Sequence, residues 1–141
     1  MKSTLLLSLI GAVFLASVGY AADMESVPFQ IVSTKFESGD SITIEEVVAS
    51  SPQLKIGDTV IVRGKYNLQS KPKASLGLFL TSKGPSAPTP IEPHQQQNIE
   101  AGLGSFELKH VIRIEGDLHI SFYPQPGGSS FGGVYFGPAK P

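Results

Sequence analysis

The chain has 141 residues, no Cys, and 11 basic against 12 acidic residues, a formal charge of −1. The missing thiols exclude disulfides, thiol catalysis, redox exchange and thiolate zinc sites. The even charge balance, with no basic block, argues against nucleic-acid partners and against strong attachment to anionic lipid.

The N-terminus has the three parts of a secretory signal. Lys2 supplies the positive start, Leu5 to Ala16 an apolar run broken only by Ser8 and Gly11, and Gly19-Tyr20-Ala21 the small residues of a cleavage site. The run is too short to span a bilayer comfortably, so residues 1–21 are expected to be a cleaved signal peptide. The exported chain, 22–141, is then periplasmic or extracellular and keeps no membrane span. It carries ten basic and twelve acidic residues. Its size is that of one domain, large enough to bury a core without staples.

Gly and Pro are scattered evenly through this domain, with β-branched and aromatic residues between them. That pattern predicts many short strands joined by turns and no helix. Eight strands are expected: Pro28–Phe36, Ser41–Ala49, Thr59–Gln69, Ala74–Thr81, Gln95–Ala101, Ser105–Ile114, Leu118–Tyr123 and Phe131–Phe136. The pairs Gly39-Asp40, Gly57-Asp58 and Gly116-Asp117 read as turns, since Gly tolerates positive φ and Asp bonds nearby backbone. Adjacent carboxylates Glu45 and Glu46 are expected on opposite faces of their strand.

Period-two alternation assigns the faces. Val60, Val62, Tyr66 and Leu68 share one face, with Gly64 in the same row, against Arg63, Lys65, Asn67 and Gln69. Ala74, Leu76, Leu78 and Leu80 oppose Ser75, Gly77 and Thr81, with Phe79 interrupting the polar face. Phe106, Leu108, Ile112 and Ile114 share a face with His110, which reads as a hydrogen-bonded core or rim histidine. Leu118, Ile120 and Phe122 oppose His119, Ser121 and Tyr123. One apolar face per strand implies an antiparallel β-sandwich of about seven to nine strands, perhaps jelly-roll-like.

Two loops stand out. Lys83 to His94 holds Pro85, Pro88, Pro90 and Pro93, which excludes helix and central strand. Pro124 to Ser130 is the second. Glu115-Gly116-Asp117 suits a tight turn and predicts a hairpin between Ser105–Ile114 and Leu118–Tyr123. Its register pairs Ile114 with Leu118 and His110 with Phe122 on the core side. On the outer side it pairs Arg113 with His119, Val111 with Ser121 and Lys109 with Tyr123.

The chemistry-bearing patterns are few. In that register His110 and His119 face opposite ways, so with His94 they form no joint metal site, and no metal or other cofactor is expected. No Gly-x-Ser-x-Gly elbow and no His-Glu-x-x-His helix is expected, and no carboxylate pair is located on a common cleft. The run from Gly127 to Gly133 lacks the following helix that would hold a phosphate, and reads as a turn into a strand closely approached by other backbone. In the last strand Phe131 and Tyr135 share one phase, Val134 and Phe136 the other, so both faces are apolar.

An aromatic shelf for a sugar ring or peptide needs an amphipathic ring beside hydrogen-bonding groups. With no Trp, and Tyr66 on the core side, Tyr123 and Tyr135 remain. The candidate binding surface is therefore the outer hairpin face, Lys109, Arg113, His119, Ser121 and Tyr123, together with Tyr135. The expected function is a non-catalytic binding module for a glycan or a protein. The alternative is an assembly subunit that pairs with a neighbour through its Gly/aromatic C-terminal strand.

The segments Val62-Arg-Gly-Lys-Tyr-Asn-Leu68, Gly104-Ser-Phe-Glu-Leu-Lys-His110, His119-Ile-Ser-Phe-Tyr-Pro124 and the following Gly-Gly-Ser-Ser-Phe-Gly-Gly-Val-Tyr-Phe-Gly resemble a group of small exported bacterial proteins. The general pattern is also similar to sandwich-type carbohydrate-binding modules. The resemblance implies an exported β-module without a catalytic centre and assigns no functional residue.

Overall fold

The computed structural model describes residues 24–85 and 89–140. The expected signal peptide and Pro88 lie outside the described residues. The strands are β1 (Glu25–Ser26), β2 (Phe29–Lys35), β3 (Ser41–Ala49), β4 (Thr59–Ser82), β5 (Gln96–Val111), β6 (Gly116–Tyr123) and β7 (Gly132–Pro138), with no helix among the described residues. All pair antiparallel, in the order β1-β3-β4-β6-β7-β2, with β5 on the other side of β4.

β4 organises everything else. Its 24 residues join two of the expected strands, and β5 likewise joins two. The joint was hidden because Gln69-Ser70-Lys71-Pro72-Lys73 reads as a break. In fact the β4–β5 ladder bulges there, between Leu68 and Lys73, and β5 turns opposite at Gly102, whose φ is +111°. A bulge bends a strand without ending it. Past the bend, β4 exchanges its neighbour on one side from β3 to β6. The sheet therefore curls on itself into a half-barrel with its core on the inner side.

This bend also corrects the expected hairpin. The Ser105–Val111 part of β5 pairs with Thr59–Lys65 of β4, while β6 pairs with Ser75–Ser82 of β4 and with β7. Ile112 remains tied to the start of β4, exchanging backbone bonds with Gly57 and Asp58. Ile112–Glu115 then crosses from one half of the curl to the other. Residues 115–117 have the composition of a tight turn, but they serve a crossover.

The expected inner rows of β4 and β6 hold. Val60, Val62, Leu68, Ala74, Leu76, Leu78, Ile120 and Phe122 are fully buried, and Phe106, Leu108, Leu118, Val134 and Phe136 join them. At ~25 cal/mol per Å² of apolar area, such rows account for stability without disulfides. β7 is an interior strand, flanked by β6 and β2, so both its edges are paired within the chain. The edge it might have offered belongs instead to β2, where Ile31 is 46% and Val32 66% exposed.

Two local devices depart from the alternating pattern or add to it. A bulge between Ile44 and Glu46 in β3 sets Glu45 aside from the ladder, so Glu45 and Glu46 do not part to opposite faces. Both reach outer-face cations of β4, Lys65 at 3.8 Å and Arg63 at 2.8 Å. The Gly-Asp pairs are turns at Gly39 (φ +87°) and Gly57 (φ +98°), but their carboxylates also act as clamps. Asp40 accepts the backbone N–H groups of Gln69 (2.7 Å) and Ser70 (2.9 Å) at the β4 bend. Asp58 accepts Lys55 N–H (2.9 Å) and the hydroxyls of Ser50 and Ser51, fixing the β3–β4 loop. Gly116 is needed for space instead, since a Cβ there would lie 2.3 Å from the Thr81 carbonyl.

Candidate functional site

The second half of β4, with β6 and β7, turns an outer face to solvent that is not built like an ordinary solvated face. Register aligns Phe79 with His119 and Gly77 with Ser121, then His119 with Tyr135 and Ser121 with Gly133. Four of the six residues singled out in the sequence, His119, Ser121, Tyr123 and Tyr135, therefore share one patch. Lys109 and Arg113 do not. Lys109 lies near the end of β5, which forms no ladder with β6, and Arg113 in the crossover that follows, so the expected pairs Arg113–His119 and Lys109–Tyr123 do not exist.

The patch is a second, thin core. His119 is 7% and Ser121 3% exposed. His119 Nδ1 lies 2.7 Å from Ser121 Oγ, and its ring packs at 4.7 Å on Tyr135 and 6.4 Å from Phe79. Phe79 meets Tyr123 edge-on at 5.3 Å, and Tyr135 Oη shares a 2.8 Å hydrogen bond with Thr81 Oγ1. Glycines make room for these groups. A Cβ on Gly77 would lie 2.3 Å from the Phe79 ring, and one on Gly133 would lie 2.2 Å from Ser121 Oγ and 2.7 Å from the Ile120 carbonyl. The close approach read from the Gly-rich run is thus real at Gly133. Phe79 and Thr81 are the members that sequence reading missed. Phe79 interrupts the polar face of its strand in the sequence, and that interruption is the signal.

Beside this layer runs a trough of about 790 Å³. Its walls are Ser33 and Lys35 of β2, His119 and Ser121 of β6, and Gly133 and Tyr135 of β7. Phe36, Glu37, Ser130 and Phe131, from segments beyond the paired ends of β2 and β7, complete one end. Phe131 stacks at 5.6 Å on Phe122, with the Lys71 ammonium 5.1 Å above its ring. The volume falls within the ~300–1,000 Å³ of small-ligand sites.

Electrostatically the patch is neutral. Burial pushes the His119 imidazole below its ordinary pKa, and no carboxylate acts to restore it. Burial raises the Tyr123 phenol; Ser121 opposes that shift and Tyr135 adds to it. The His–Ser contact has the residue types of a nucleophile and its base. However, Ser121 is almost fully buried with its oxygen against Gly133, and no acid orients the imidazole. With Nδ1 committed to Ser121, Nε2 is the ring nitrogen left for a ligand.

Lys109, Arg113, His110 and His94 belong to a second cluster, where the Pro-rich loop returns. Glu92 accepts the Val111 N–H (3.1 Å) and the Arg113 guanidinium (2.6 Å), and its Oε1 lies 2.7 Å from His110 Nδ1. The Lys109 N–H donates to the His94 carbonyl at 2.9 Å. Burial raises the Glu92 carboxyl, but these donors outweigh it and hold the group below its ordinary value. Burial lowers His110 despite Glu92. These contacts strap the loop to β5. Among the described residues no three His, Asp or Glu side chains converge as metal ligands. Comparison with protein-family models, curated proteins and solved structures finds no match to this chain.

Proposed function

We propose that the chain is an exported, non-catalytic binding module that takes a sugar ring of a glycan in the trough beside His119 and Tyr135. The observation that carries this is a buried His119–Ser121 pair covered by the half-buried rings of Phe79, Tyr123 and Tyr135, on a face that solvent would otherwise claim. A contiguous aromatic patch on an otherwise solvated sheet marks an interaction surface. A pyranose presents apolar C–H faces and hydroxyl edges. The Tyr135 ring matches the first, while His119 Nε2, Ser33, Ser130 and the Lys35 ammonium match the second. Neutral walls, with Lys35 and Glu37 offsetting each other at the rim, suit an uncharged ligand.

The same reading takes the curled sheet as a sandwich of jelly-roll type, akin to the carbohydrate-binding modules that its sequence pattern resembles. It takes residues 1–21 as the cleaved export signal. A glycan array probed with residues 22–141 tests the reading. Binding to a defined set of neutral glycans is expected, and Tyr135→Ala is expected to abolish it. A clean negative across the array removes the sugar as ligand.

A further inference from the structure

A second cavity, of about 540 Å³, opens at the end of the half-barrel where the crossover Ile112–Glu115 passes. Its floor is the core itself: Ile112, Leu118 and Phe136 are 2–4% exposed and line it. Its lip is the β3–β4 loop, staked by Asp58, with Leu54 held at φ +53° and Ile56 left 58% exposed. Val32, on the β2 bulge, faces the same opening and is 66% exposed. Among the described residues, two of the five large hydrophobic side chains that stand exposed therefore gather at one mouth.

We propose that this mouth binds a single-chain amphiphile with a zwitterionic head, at a site separate from the trough. The chemistry of the lining sets both halves of the ligand. The interior surface is aliphatic and aromatic, so a polar group taken inside would lose its hydrogen bonds to water without replacement. The ligand's body is therefore hydrocarbon. The polar side chains of the lining, Gln53, Lys55, Lys83, Glu115 and Asp117, are all exposed, and the charged ones carry both signs. A singly charged head would meet two like charges for every two opposite ones. A head bearing a cation and an anion finds a partner for each. The volume is that of a small-molecule site rather than of a docked protein segment.

The test is calorimetric titration of the mature chain with dodecylphosphocholine below its micelle concentration, beside laurate and dodecyltrimethylammonium as singly charged probes. One-site binding is expected for dodecylphosphocholine, tighter than for either single charge. Ile56→Asp and Val32→Asp place a charge on side chains already open to water, so the fold tolerates them. Each is expected to weaken binding by about tenfold or more, as a charge forced against hydrocarbon does. Tyr135→Ala, in the trough, is expected to leave it unchanged. No saturable binding, or binding by the two Asp variants as tight as by the unsubstituted chain, overturns the site; equally tight binding of a singly charged probe overturns the assignment of the head.

Discussion

The two halves of the curl turn very different outer faces to solvent, although they are built on the same strand. Over the first half of β4 the face is a ladder of ions. Arg63 bridges Glu46 at 2.8 Å and Glu107 at 2.5 Å, and Lys65 stands 3.8 Å from Glu45, with the side chains 42–70% exposed. Over the second half it is Phe79, His119, Ser121, Tyr123 and Tyr135, with charges at the margins. Exposed pairs of the first kind contribute ~0–1 kcal/mol each and tolerate exchange. A buried aromatic and imidazole layer constrains geometry, because each member fills space that a neighbour needs. The contrast separates a face that only needs to be wet from one that holds a shape.

The sharpest way to break this contrast is at Gly133. Gly133→Ala would drive a methyl group into Ser121 Oγ and the Ile120 carbonyl, and a loss of about 3 kcal/mol is expected, the upper end of overpacking effects. Urea unfolding measures it; a loss below the noise would mean that the layer is loose. Next comes His119→Ala, which empties a buried site and strips Ser121 of its partner. About 2 kcal/mol of destabilisation is expected in the same assay.

The histidines also give the comparison a pH axis. His119 and His110 both have folded-state values below the ordinary 6.5, so below about that pH the unfolded chain binds the extra protons. Stability is therefore full above pH 6.5 and declines as pH falls towards the folded values. Asp40, Asp58 and Glu92, held below their ordinary 3.8 and 4.5, add a separate loss at more acid pH. Thermal melts from pH 8 to pH 5 should show the first decline, and it should shrink in His119→Gln. An unchanged slope in that variant would assign the decline to His110 alone.

How legible this was in the sequence depended on the range of the interaction. Alternation correctly filled the inner rows of β4 and β6, because period two is local and one face is apolar. It also picked out His119, Ser121, Tyr123 and Tyr135. What failed was long-range pairing. Pro72 and its charged neighbours mark a bend that keeps its strand, and Glu115-Gly116-Asp117 has turn chemistry used for a crossover. Neither distinction is written in a window of a few residues. With the hairpin gone, Lys109 and Arg113 left the site for the Glu92 strap, while Phe79 and Thr81 entered it from β4. The bulge at Glu45 was equally invisible, since an extra residue changes faces without changing composition.

The smallest effect belongs to the ionic face. Arg63→Gln should cost less than about 1 kcal/mol, and less still in high salt. A cost as large as that of His119→Ala would erase the distinction between the two faces.

The central claim is that the shaped face, and not the ionic one, receives the ligand. Nuclear magnetic resonance titration of the isotope-labelled mature chain with a neutral oligosaccharide selected on the array tests it most directly. Saturable shifts are expected at His119, Ser121, Gly133, Tyr135, Ser33 and Lys35, with Arg63, Lys65 and Glu107 still. Shifts centred on the ionic ladder, or no saturable shift with any array-selected glycan, would contradict the account.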